Sequence, residues 1–184
     1  MPRKTAVELI ENFLVVWNPV EGSELYKKGF YGKPLGIAKP KTSEFEVPLI
    51  LDLMEGLYLT EKGLVTVYEA PENKKVGVKK LLQMAKQLYE EFNEKYAVYK
   101  DLRENGLIVT PGIKFGCDFA VYKHGPGVEH APYMVSVKKT ESELSATEIV
   151  KAGRLATTVR KRFIIAVPDS EKKIRYLIFK WFKA

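Results

Sequence analysis

The chain holds two histidines, His124 and His130, and one cysteine, Cys117. A zinc site of the usual Cys/His kind needs more ligands of that type than this. One thiol cannot close an internal disulfide, and it fits a reducing compartment. Gly125-Pro126-Gly127 lacks the spacing of a nucleotide-binding loop and carries no Lys-Ser/Thr behind it, and no Gly-x-Ser-x-Gly elbow is present. Cleavage of RNA without a metal needs fewer parts. The ribose 2′-hydroxyl attacks the adjacent phosphate, a base takes its proton, an acid protonates the departing 5′-oxygen, and a cation stabilises the charge that builds on phosphorus. Histidine suits the acid, since its ordinary pKa is about 6.5. Tyrosine, at about 10, becomes a base only where a nearby cation favours the phenolate. Lysine can supply that cation.

His130 lies in the loop Gly127–Ala131, which leads into a strand. His124 sits in the same connection, beside Lys123, and on residue type alone the two are equivalent. Tyr122 ends an alternating strand, where tyrosines commonly pack. Lys161 reads as the end of a helix that opens at Ser145, a place where the helix dipole favours a cation. Each has an ordinary role available, as a surface histidine, a packing tyrosine or a solvated lysine. Cys117, inside the alternating run Phe115–Phe119, reads as a buried thiol.

The elements that must position these residues follow from periodicity. Val7–Val16 reads as a strand or short helix, and 18–42 as loops and short strands. A helix is expected from Ser43, with Val47, Ile50, Leu51, Met54 and Leu57 at helical spacing, then a strand over Leu64–Glu69. Pro71–Lys75 is a polar break, which divides the chain into an α/β domain at 1–75 and a second domain at 76–184. The second opens with helices over Val78–Tyr96 and Val98–Asn105. Strands follow at Leu107–Val109, Lys114–Tyr122 and Tyr133–Val137. Ser145-Ala146-Thr147-Glu148 is a capping box at the start of a helix that runs to about Val159. Strands over Phe163–Val167 and Ile174–Phe182 end the chain. The fold class is α/β in the α+β sense.

The formal net charge is +7, and its distribution is uneven. Residues 1–94 carry 13 Lys and Arg against 14 Asp and Glu, whereas 95–184 carry 17 against 9, a balance of +8. A local positive field suits a polyanion. No run approaches the roughly 18 apolar residues of a spanning helix, and no secretory signal is read at the N-terminus. A cytoplasmic location is expected.

Three segments, in order, resemble the archaeal tRNA-splicing endonuclease family. Tyr99-Lys100-Asp101-Leu102-Arg103, a glycine break, then Lys114-Phe115-Gly116-Cys117-Asp118-Phe119-Ala120-Val121-Tyr122 is similar to YKDLR…KFG-x-DF-x-VY. Glu129-His130-Ala131-Pro132-Tyr133-Met134-Val135 is similar to H-S-x-Y-x-V. Arg154-Leu155-Ala156-Thr157-Thr158-Val159-Arg160-Lys161 is similar to R-x-A-H-S-V-R-K, with Ala131 and Thr157-Thr158 in place of the H-S pairs. The resemblance implies a restriction-endonuclease-like catalytic domain with a mixed sheet flanked by helices. It implies Tyr122 as base, His130 rather than His124 as acid, and Lys161 as electrostatic stabiliser, with no metal and no cofactor. It implies precursor tRNA as substrate, cut at bulge-helix-bulge junctions to give a 2′,3′-cyclic phosphate and a 5′-hydroxyl.

Arg154 matches an arginine that stacks on a bulged base, and its spacing of seven from Lys161 would put both on one helix face. Arg175 and Tyr176 are the candidates for a second stacking residue. Pro168-Asp169-Ser170-Glu171 matches an acidic docking loop, diluted by Lys172-Lys173. The last strand alternates Tyr176, Ile178 and Lys180 with Leu177, Phe179 and Trp181, apolar on both faces. The resemblance implies tail-to-tail dimers on this strand, then a homotetramer or a heterotetramer with a structural paralogous subunit. A non-catalytic structural subunit of that assembly is the competing expectation. A metal-dependent DNA nuclease would need a D…E-x-K cluster that the strands do not offer.

Overall fold

The computed structural model describes residues 4–158, 161–169 and 173–179. The chain divides into two compact units, Met1–Phe92 and Asn93–Ala184. Both are mixed α+β.

In the first unit, β1 (Thr5–Ile10) and β2 (Phe13–Val16) form a hairpin, with Glu8 opposite Val15. Helix α1 (Pro19–Gly29) follows, where the sequence suggested loops. Its start signal is local: the Asn18 side chain accepts from the backbone N–H of Val20 at 3.0 Å and of Glu21 at 3.3 Å, and Pro19 occupies the first turn. Its glycines, which read as loop, serve packing. A Cβ on Gly22 would come within 3.0 Å of the Leu49 Cβ.

The helix expected from Ser43 begins later. Leu49–Leu51 is a strand, β4, paired with β2 and with the short β3 (Lys33–Pro34). Helix α2 (Leu53–Glu61) starts at a capping box, in which Asp52 accepts from the Glu55 N–H at 2.8 Å and Glu55 accepts from the Asp52 N–H at 3.3 Å. The buried Glu55 carboxylate also accepts from Gly32 N–H at 2.9 Å, tying α2 to the β3 entry. β5 (Val65–Glu69) runs parallel to β1, and β6 (Lys74–Val76) closes the sheet in the order β3-β4-β2-β1-β5-β6. Helix α3 (Val78–Leu88) packs on α2.

The second unit is built on α4 (Phe92–Glu104); the break between the two expected helices falls earlier than Ala97, at Glu91 (φ 53°). Its Arg103 is buried and donates to the Tyr99 hydroxyl at 3.1 Å and to the Val109 carbonyl at 2.9 Å, so part of the YKDLR segment is scaffold. Strands β7 (Ile108–Pro111), β8 (Phe119–Tyr122), β9 (Tyr133–Val137), β10 (Arg162–Pro168) and β11 (Ile174–Phe179) form a sheet in the order β11-β10-β9-β8-β7. Only β9 and β10 are parallel, joined through α5 (Ala146–Thr158). The Ser145–Glu148 box caps α5, with the Glu148 N–H donating to Ser145 Oγ at 3.2 Å and the Ser145 N–H to Glu148 at 3.0 Å. Cys117, Ala120, Ala131, Met134, Ala152, Phe163 and Ile165 form a core of this unit. No helix among the described residues is long and apolar enough to cross a membrane.

The strand expected over Lys114–Tyr122 is shortened by a knot of turns at its start. Ile113–Phe115 is a 3-10 turn. Gly112 N–H donates to the Asp118 carbonyl at 2.8 Å, and the Gly112 carbonyl accepts from Phe115 at 2.8 Å and Cys117 at 3.3 Å. A Cβ on Gly112 would lie 2.6 Å from Cys117 Sγ and 2.8 Å from backbone atoms of Cys117 and Phe119. Gly112→Ala is expected to destabilise the second unit by about 1–3 kcal/mol, the range for overpacking, as read from urea unfolding monitored by circular dichroism.

Candidate active site

The central strands bring the candidate residues to one end of the sheet. Val121 of β8 pairs with Tyr133 of β9, and Arg162 of β10 pairs with the same Tyr133. Tyr122 and Lys161 therefore both fall level with Pro132, one on either side of β9. His130 arrives two residues earlier, on the exposed connection from β8, and Ala131 behind it is buried. The Arg162 N–H donates to the Pro132 carbonyl at 2.9 Å, which locks the entry of β10 against this connection.

Lys161 is held from two directions. Its ammonium donates to the Ala131 carbonyl at 2.8 Å and lies 4.8 Å from the centre of the Phe115 ring. Partial burial lowers its pKa from the ordinary lysine value, with the Cys117 thiol acting the other way. A cation over an aromatic face and on a carbonyl dipole is thus fixed one residue from His130. Tyr122 packs its half-buried ring on the core of the unit.

One expectation is corrected here. Helix α5 is described to Thr158, and Lys161 is not helical but the residue directly before β10. Arg162 pairs with Tyr133, so Lys161 belongs to the entry of β10 and not to the helix face that carries Arg154. Arg154 stands exposed on α5.

Arg175 and Tyr176 are not brought to this end. They pair with Val167 and Ala166, five and four residues along β10 from Arg162, a displacement of roughly 15 Å at ~3.3 Å per residue. Arg175 is exposed, 4.0 Å from Asp169. The Tyr176 hydroxyl donates to Asp101 at 2.5 Å, and burial together with this carboxylate pushes its pKa well above the tyrosine range. Tyr176 therefore ties β11 to α4. Ser170–Lys172 of the expected acidic loop, with Lys180, Trp181 and Phe182 of the last strand, lie outside the described residues, as does Val159.

Sequence reasoning overlooked two neighbours of the site. Phe115 forms the floor under Lys161. Glu129 accepts from the backbone N–H groups of Lys123 at 2.5 Å and His124 at 2.6 Å. The His124 N–H is the main reason its carboxyl titrates below the ordinary value. An acid directly before the histidine of a Gly-Pro-Gly loop was the available signal for Glu129. Phe115 carried none beyond its motif position. Among the described residues, no three His, Cys, Asp or Glu side chains group closely enough to hold a metal ion.

Comparison with known proteins agrees in both units. Residues 92–176 match the family model for the tRNA intron endonuclease catalytic C-terminal domain, and residues 6–82 match that for the N-terminal domain. A tRNA-splicing endonuclease of Hyperthermus butylicus is 46% identical over 170 residues, 92% of this chain and 93% of that protein. Those of Sulfurisphaera tokodaii and Saccharolobus solfataricus are 42% and 44% identical, covering 96% and 89% of this chain and 98% and 90% of theirs.

Removing the aromatic floor tests what sets the Lys161 ammonium. In Phe115→Ala, water reaches the cation and its pKa is expected to rise toward the ordinary lysine value, read by 15N NMR of the labelled side chain. The lost cation–π contact should cost about 0.5–2 kcal/mol of stability. An unchanged titration would place the cause of the shift elsewhere.

Proposed function

The chain belongs to the tRNA intron endonuclease family, and from that premise we propose that it cuts precursor tRNA at bulge-helix-bulge junctions by metal-independent 2′-hydroxyl attack. The observation that carries this reading is the junction of Lys161 with the His130 loop: the ammonium sits 2.8 Å from the carbonyl of the residue after His130. Acid and cation are thereby linked by one backbone unit. In the proposed reaction Tyr122 takes the 2′ proton. Lys161 stabilises the dianionic phosphorane. His130 donates a proton to the 5′-oxygen as the P–O bond breaks. The products are a 2′,3′-cyclic phosphate and a 5′-hydroxyl, and the charges balance without a metal.

Arg154, exposed on α5, is proposed to stack on a bulged base, a sequence-tolerant contact that suits splayed RNA. Assembly is proposed through β11. It is the outer strand of its sheet, and Leu177 and Ile178 are 50% and 48% exposed although they alternate in direction. An uncovered outer strand with apolar residues on both faces is a pairing surface. Two chains joined there, then doubled to a tetramer of identical or mixed subunits, would cover it.

Two measurements test this reading. The purified protein, alone or with its partner subunit, should cut a bulge-helix-bulge RNA in EDTA. There His130→Ala should lower kcat by about 10²–10⁴-fold and Lys161→Ala by about 10²–10³-fold; activity that appears only with Mg²⁺ would sink the mechanism. Light scattering should show Leu177→Lys at a lower mass than the unaltered protein, while an unchanged mass would remove β11 from the assembly.

A further inference from the structure

The connection between β8 and β9 carries two groups of the proposed reaction, the His130 imidazole and the Ala131 carbonyl on which Lys161 rests. Its stretch over 123–132 forms neither helix nor strand. Two features hold it. The Gly125 carbonyl accepts from the N–H groups of Val128 at 3.3 Å and Glu129 at 3.2 Å, turning the chain back on itself. Gly125 (φ 118°) and Gly127 (φ 89°) adopt backbone conformations that side chains resist. The second feature is the Glu129 carboxylate, one oxygen of which receives two successive backbone N–H groups, those of Lys123 and His124.

An anion on consecutive amides is a charge-assisted closure, stronger than a neutral turn bond. It joins the residue after Tyr122 to the residue before His130. The loop is thereby clamped at both ends, next to the base on one side and the acid on the other. We infer that Glu129 is a positioning residue, whose carboxylate closes the 123–129 loop and so sets where His130 and the Lys161-bearing Ala131 carbonyl stand. It donates no proton and touches no phosphate. The inference rests on the proposed reaction, in which His130 is the acid.

The test uses the full-length protein, with its partner subunit if one is needed, on bulge-helix-bulge RNA. Glu129→Ala should lower the single-turnover rate by about 10–100-fold, the scale of losing alignment by an ångström, with KM changed by less than about 3-fold. Glu129→Gln keeps an acceptor oxygen and should recover most of that rate. Gly125→Ala strains the same turn without altering a charge and should reproduce the loss. The His130 ring resonances should move in the Ala variant and return in the Gln variant, a signature that general destabilisation would not give. A Glu129→Ala or Gly125→Ala enzyme with the unaltered rate would overturn the inference, and so would equal losses in Ala and Gln with His130 resonances unmoved. His130→Ala separates the two levels. If it stays active, the proposed reaction itself fails; if it is inactive while Glu129→Ala is fully active, only the positioning role fails.

Discussion

Parallel pairing of β9 with β10 places Arg162 opposite Tyr133, and from that register most of the site follows. Parallel neighbours need a crossover, here supplied by α5. The crossover returns the chain to the same end of the sheet from which β9 started. Lys161, the last residue before β10, must then meet the residues just before β9. A slip of one residue would turn every side chain of β10 to the other face. It would take Phe163 and Ile165 out of the core they form with Met134 and Ala152 and turn Arg162 towards it. That packing fixes the register of β10 and with it the place of Lys161, which its hydrogen bond to the Ala131 carbonyl then holds.

The opposite neighbour, β8, is antiparallel and ends where β9 begins. Its last residue, Tyr122, is level with Lys161 for topological reasons alone. Asp118 reinforces this pairing: its N–H donates to the Val135 carbonyl at 3.0 Å and its carboxylate accepts from Val137 N–H at 2.8 Å. Lys95 of α4 lies 3.1 Å from the same carboxylate. The Asp of the KFG-x-DF segment is thus a brace between helix and sheet, and the turns around Gly112 place Phe115 under the lysine. Motif residues divide between those that build the end of the sheet and those exposed there.

Legibility in the sequence followed the range of the interaction. The Ser145 box could be read because it closes within four residues. The helix read from Ser43 was misplaced because β4 runs directly into α2, and a strand followed by a helix leaves one long apolar run without a period of its own. Asp52-x-x-Glu55 was the decisive cap within it. Helix α1 was hidden by Gly22, whose reason is a neighbour 27 residues away in sequence. Lys161 was assigned a helix end because its strand entry depends on Tyr133, 28 residues earlier. Tyr122, His130 and Lys161 were never distinguishable by type from packing or surface residues. The order of three motifs singled them out, and the sheet explains why segments so far apart in sequence belong together.

The placement of Lys161 has an electrostatic consequence. Burial lowers its pKa and so disfavours its charged form, while the Ala131 carbonyl and the Phe115 face lie against the ammonium and favour it. An ammonium in that condition is under-solvated, and its attraction to an incoming phosphate is less screened than that of a surface lysine. In the proposed reaction the phosphate gains charge on the way to the phosphorane. The interaction therefore strengthens along the reaction coordinate, which is the condition for lowering a barrier rather than merely binding substrate. In that proposed reaction a single cation, held by the sheet register and partly stripped of water, serves the transition state more than the bound substrate.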